Sequence, residues 1–195
     1  MRYRSKLSPV LTSAGTATPI TLRLRLHSMD AHAVSVREYM TVTARKVLRD
    51  CELAYEFLDI EEDEKRFRLF WVSCVSLLRA VGHVLRKVDC ANDEKLKAAV
   101  DSWWGRIKSD KSAHPIFHQF IDPERNNILK EYDVGILSGP IEVLIGEHEE
   151  PYTLAETEYC PMTYGIFEGE DCREIAFLAI TWWKNQLESI EQSIP

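Results

Sequence analysis

The sequence predicts a mainly α-helical fold: an antiparallel up-and-down helical bundle with a small β-hairpin arm before the last helix. Three observations predict it. Apolar residues recur at alternating spacings of three and four along residues 36–58 and 67–88, as one face of an α-helix requires. Between those stretches the acidic run Asp59-Ile-Glu-Glu-Asp-Glu64 reads as a solvated turn, with acids placed to complement the dipole of the next helix. Near Gly135 the period changes from helical to alternating, and it becomes helical again after Asp171.

In the first stretch Val36, Met40, Ala44, Val47, Cys51, Ala54 and Leu58 share a face. In the second, Phe67, Phe70, Cys74, Leu77, Val81, Val84 and Val88 form the seam, widened by Trp71, Leu78 and Leu85, so a charge at Leu77 should unfold the domain. A shorter amphipathic helix over 92–108 turns Leu96, Val100, Trp103 and either Trp104 or Ile107 inward. Asp122-Pro-Glu reads as an N-cap acid with proline at the first helical position, opening a helix that stops near Gly135. Ile141, Val143 and Ile145 alternate, Gly146 to Pro151 makes a turn, and Tyr152-Thr-Leu154 returns, which places a β-arm at about 136–168. Asp171-Cys-Arg-Glu174 is a capping box for a final helix carrying Ile175, Leu178, Trp182, Leu187 and Ile190 inward.

At 195 residues the chain is long enough for one domain with a substantial core, and residues 30–195 are expected to supply it. Residues 1–29 hold Arg2, Arg4, Lys6, Arg23 and Arg25 with no acid and read as a mobile tail; a transit peptide, or a start site assigned upstream of Met29, fits the same composition. The remainder carries 19 bases against 31 acids, a net charge of −12. Such a surface repels phosphate backbones over long range, so RNA binding requires a locally basic groove, whereas a basic protein partner suits the surface as a whole.

The five cysteines contain no Cys-x-x-Cys pair, which indicates reduced thiols and a cytoplasmic setting. No uninterrupted apolar run reaches the length of a membrane span, so no membrane crossing is expected. Glycine-rich phosphate loops, Ser-His-Asp arrangements and Cys-His nucleophile signatures are absent from the sequence, and no cofactor is expected. His114 and His118 are four apart, a metal-compatible spacing, but nothing nearby completes a site and no metal is assigned. The pairs Trp103-Trp104 and Trp182-Trp183 suit either stacked bases or, more commonly, one ring in the core and one at an interface.

Arg125-Asn126-Asn127-Ile128-Leu129-Lys130-Glu131-Tyr132, opening a helix in a bundle, resembles the signature of the HEPN superfamily, an Arg-Asn-x-x-x-His-x-Tyr element. The resemblance is sharp over eight residues and extends loosely over 31–132. It implies a homodimeric helical bundle in which two copies of the motif meet as a metal-independent endoribonuclease site of toxin or defence type, with a possible RNA substrate and a protein antitoxin or regulatory partner. On that resemblance Arg125, Asn126 and Lys130 are the catalytic candidates and Tyr132 the trailing aromatic. Lys130 stands where histidine belongs. A lysine with a pKa near 10.4 stays protonated at neutral pH, so it can hold phosphate or developing charge but is a poor base. The expected function is therefore RNA or partner binding with a degenerate nuclease site. His83, four residues after Arg79 on one face of the central helix, is the candidate rescuing base, although such a pair more often bridges to a neighbouring helix. The alternative is a non-catalytic interaction protein that uses its acidic bundle and β-arm, with Arg125 and Asn126 tying down a helix start and Tyr132 in the core.

Overall fold

The long apolar stretches form an antiparallel hairpin in the computed structural model, which describes residues 40–143 and 152–194. The two helices are α1 (Val42–Ile60) and α2 (Glu64–Lys87). The expected tail, Val36, Ile145 and the Gly146–Pro151 turn lie outside the described residues. At the closed end of the hairpin, Glu61 accepts from the Asp63 backbone N–H at 2.9 Å and from the Arg66 guanidinium at 2.8 Å, while Asp63 caps α2 by accepting from Arg66 N at 2.9 Å. At the open end Thr41 makes no side-chain cap. Instead Asp89, in the 3-10 turn Asp89–Asn92 that follows α2, accepts from Thr43 N at 3.0 Å and Ala44 N at 2.8 Å, capping α1 from its partner helix.

α1 buries Ala44, Leu48, Cys51, Ala54 and Leu58. The buried arc of α2 is rotated from the one its spacing suggests: Phe67, Trp71, Cys74, Val75, Leu78, Val81 and Leu85 are buried, Phe70, Leu77 and Val84 are half-buried, and Val88 is exposed beyond the last turn. The cause is that α2 packs not only on α1 but also on α5 and on the helix carrying residues 122–131, which draws the Trp71 side inward. By length and hydropathy alone the segment Glu64–Asn92 would cross a membrane; here it is the central helix of the core.

α3 (Glu94–Ser109) is capped by Asp93, which accepts from Lys95 N and Leu96 N, and it buries Leu96, Val100, Trp103 and Ile107, leaving Trp104 half-exposed. Trp103 Nε1 donates to Gln186 Oε1 at 2.9 Å, joining α3 to α5.

An α-helix begins where the Asp122-Pro123 signal places one, with proline in its first turn, but Asp122 is not its cap. A π-helical turn, Ile116–Ile121, runs directly into α4 (Asp122–Glu131), and Asp122 is itself helical with φ −75° and ψ −46°. Proline lacks an N–H and crowds the carbonyl four residues back. The wider turn before Pro123, in which Asp122 N–H reaches Phe117 O, five residues back, absorbs it without ending the helix. α4 also ends earlier than expected, at Glu131, with Tyr132 in the left-handed region at φ 53°. Tyr132 is exposed, not core.

β1 (Ile141–Val143) pairs antiparallel with β2 (Tyr152–Leu154), with Ile141 opposite Leu154 and Val143 opposite Tyr152. α5 (Cys172–Gln192) starts at Asp171, whose carboxylate accepts from Arg173 N at 2.9 Å and from Cys160 N at 3.1 Å. Its buried side chains are Cys172, Ile175, Ala176, Ala179, Ile180, Trp183, Leu187 and Ile190. Leu178 is exposed and Trp182 only half-buried, because Ala176 and Ala179 let the backbone of α5 approach its neighbours and so set the inward face.

Candidate nucleic-acid interface

Helix α2 places Arg79, Gly82, His83, Arg86 and Lys87 along one wall of a cleft of about 420 Å³, and α3, the π-turn and α5 supply Val100, Trp103, Trp104, Phe117 and Trp183 as its floor and far side. Among the described residues no carboxylate lines it. On a chain with net charge −7 this is the locally basic groove that phosphate binding requires.

The cations are held unequally. Arg79 Nε donates to Asp122 Oδ1 at 2.9 Å, and its guanidinium lies 5.7 Å from the centre of the Phe117 ring, so Arg79 bridges α2 to α4. Arg86 lies 3.8 Å from Asp101 with both groups exposed, a screened pair worth little. His83 is exposed, but partial desolvation and then the charges of Arg79 and Arg125 hold its pKa below the ordinary histidine value, with Asp122 opposing. Its imidazole is therefore neutral at pH 7 and able to accept a proton.

Arg125 and Asn126, at the second and third turns of the continuous helical run, are half-buried, and Arg125 Nη1 donates to Asn126 Oδ1 at 2.9 Å. Among the described residues Arg125 forms no ion pair, with Glu124, Glu131 or any other acid. The structure thus brings Arg79, His83 and Arg125 into one electrostatic neighbourhood. Arg125 and Asn126 do not themselves line the cleft; Lys130 is exposed and does not line it either, and Tyr132 lines a separate hollow of about 270 Å³ with Arg68, Val134, Ile136 and Ser138. Among the described residues no group of three or more metal-ligating side chains assembles, and His118 is used by its Nε2 contact with Ile107 O at 2.9 Å.

Sequence reasoning missed the polar centre beside the motif. Glu124 is fully buried and accepts from Trp71 Nε1 at 2.9 Å, from Gly135 N at 3.0 Å and from the Tyr164 hydroxyl, to which Asn127 Nδ2 in turn donates at 3.1 Å. Burial and then the bond to Glu124 push the Tyr164 pKa well up. Gly135 is needed for space: a Cβ there would collide with the Tyr164 ring and the Glu124 carboxylate. This network fixes α4 against α2 and so sets the position of Arg125. The available signal was the isolation of Glu124 one residue after a proline on a face otherwise occupied by Ile121 and Ile128.

A scan against protein-family models and searches of curated proteins and of solved structures return no match.

Proposed function

We propose that the protein is a HEPN-like RNA-binding protein whose nuclease site is degenerate, acting in the cytoplasm as a homodimer under the control of a protein partner. The observation that carries this reading is the cleft lined by Arg79, His83, Arg86 and Lys87 with no carboxylate among the described residues, on an otherwise acidic chain, with Arg125 near enough for its charge to act on His83. Arg125, without an ion-pair partner among the described residues, has its guanidinium available for phosphate, and Asn126 orients it. Where cleavage occurs, His83 takes the 2′-hydroxyl proton in place of the motif histidine as that oxygen attacks the phosphorus; the P–O5′ bond breaks, the departing 5′-oxygen takes a proton from solvent, and a 2′,3′-cyclic phosphate is left, while Lys130, outside the cleft, takes no part. The test is incubation of the purified protein with a mixed RNA pool without divalent metal, scored for both retention and cleavage, beside Arg125→Ala and His83→Ala. Arg125→Ala loses retention with its melting temperature unchanged; retained binding, or a large loss of stability, overturns the assignment. Cleavage that disappears with His83→Ala assigns the base.

A second reading, a non-catalytic interaction protein, is favoured by one feature. Asp59, Glu61, Glu62, Glu156 and Glu158 line a hollow of about 760 Å³ between the α1–α2 turn and the segment after β2, which suits a lysine-rich partner segment. Binding of a polylysine peptide that Glu156→Lys weakens, with no RNA retained, selects this reading.

A further inference from the structure

The aromatic floor of the cleft is unevenly exposed. Trp103, Phe117 and Trp183 are buried, at 4%, 3% and 0% exposure, whereas Trp104 is half-exposed. The ring of Trp104 is set edge to face with Phe117 at 5.3 Å and lies 5.8 Å from Trp103, which fixes its plane. Gly82 permits the wall to come this close, since a Cβ there would sit 3.0 Å from Cη2 of Trp183. The indole N–H of Trp183 has no partner among the described residues, an uncommon state for a buried donor.

We propose that this cleft is a subsite for one unpaired nucleotide, whose base stacks on Trp104 while its phosphate rests against Arg86, Lys87 and His83. The proposal rests on the RNA-binding reading and deepens it by naming the substrate class as single-stranded. A volume of about 420 Å³ suits a small organic group and not a duplex. A paired base keeps its faces inside the stack, so only an unpaired or extruded base can present one to Trp104. Aromatic side chains flanked by cations are the usual platform for single strands, because every base has a π-face and every link a phosphate. Lys108 Nζ lies over the Trp104 ring, 5.8 Å from its centre, so a base that stacks on that face displaces it.

The test uses the full chain and reads tryptophan quenching and anisotropy with three probes: an oligoadenylate of about ten nucleotides, its duplex with oligouridylate, and adenosine 5′-monophosphate. The single strand should quench fluorescence and bind about ten-fold more tightly than the duplex. Trp104→Ala should weaken it by about five- to a hundred-fold, and Trp104→Phe by less than about three-fold. Thermal melting checks that each variant folds; should Trp104→Ala melt early, the exposed pair Arg86→Ala/Lys87→Ala carries the same test, with about a ten-fold loss expected. Wild-type affinity in both variants, or equal affinity for single strand and duplex, overturns the subsite; if Arg125→Ala still abolishes binding, the RNA reading stands without it. Failure to bind either RNA, combined with monophosphate binding that Trp104→Ala removes, supports the subsite and overturns the RNA reading. Binding of no probe overturns both.

Discussion

Trp71 and Glu124, 53 positions apart in sequence, meet as a fully buried donor and acceptor at 2.9 Å. A buried carboxylate is tolerated only when its lone pairs are taken, and here an indole, a backbone amide and a phenol take them. Glu124→Ala would strand the Trp71 and Gly135 donors and is expected to cost about 3–5 kcal/mol in urea unfolding. Gly135→Ala, which drives a methyl group into the same centre, should cost about 1–3 kcal/mol.

Alkaline pH should act on the same centre through Tyr164. Its pKa in the folded state is raised, so the stabilisation it brings is complete below the ordinary tyrosine value near 10 and is lost as pH rises through the folded-state value. Unfolding free energy measured from pH 8 to 11 should fall at the upper end, and Tyr164→Phe should flatten that decline.

The rotated seam of α2 separates two adjacent leucines. Leu78→Ala, at a fully buried site, should cost about 2–5 kcal/mol, and Leu77→Ala, at a half-buried one, about 1 kcal/mol. Leu78→Asp should leave no cooperative thermal transition, whereas Leu77→Asp should retain one.

Tyr132 occupies a left-handed cap position that glycine fills more cheaply. Tyr132→Gly should raise stability by about 1 kcal/mol in chemical denaturation, and RNA affinity should stay within about two-fold, since Tyr132 does not line the cleft.

On the proposed RNA-binding reading, His83 sets the sign of the pH dependence. In the free protein partial desolvation and then the charges of Arg79 and Arg125 depress its pKa; a bound phosphate opposes them and raises it, so binding takes up a proton. Affinity should therefore strengthen as pH falls from 8 to 6, and His83→Ala should remove most of that dependence in anisotropy titrations.

Helix existence was legible because periodicity reports which residues alternate between core and water: both members of the hairpin, the Asp171 cap and the two strands around 141–143 and 152–154 are where the pattern puts them. The exact buried arc was not legible, since Trp71 and Leu78 differ from Phe70 and Leu77 only in what packs against them. The Asp122-Pro123 signal marked where the α-helix begins but not its cap, because a π-turn leads into it and the Asp122 carboxylate is committed to Arg79. Of the candidate site, Arg79, His83 and Arg125 were nameable in advance. Their company, Trp104 and the cations one turn on at Arg86 and Lys87, depends on where α3 lies, and α3 is anchored on α5 by Trp103 and Gln186, which pair across 83 positions.

All five cysteines are buried, and Cys51 lies 3.7 Å from Cys74 between α1 and α2, its thiol held protonated by that contact and by burial. Alkylating reagents attack thiolates, so in native buffer these sulfurs react only during the instants when the hairpin comes apart. Labelling of Cys51 and Cys74 therefore serves as a clock for whole-molecule opening: mass spectrometry of timed iodoacetamide exposures would yield the opening equilibrium without denaturant, and a ligand seated in the cleft would slow that clock in proportion to its occupancy.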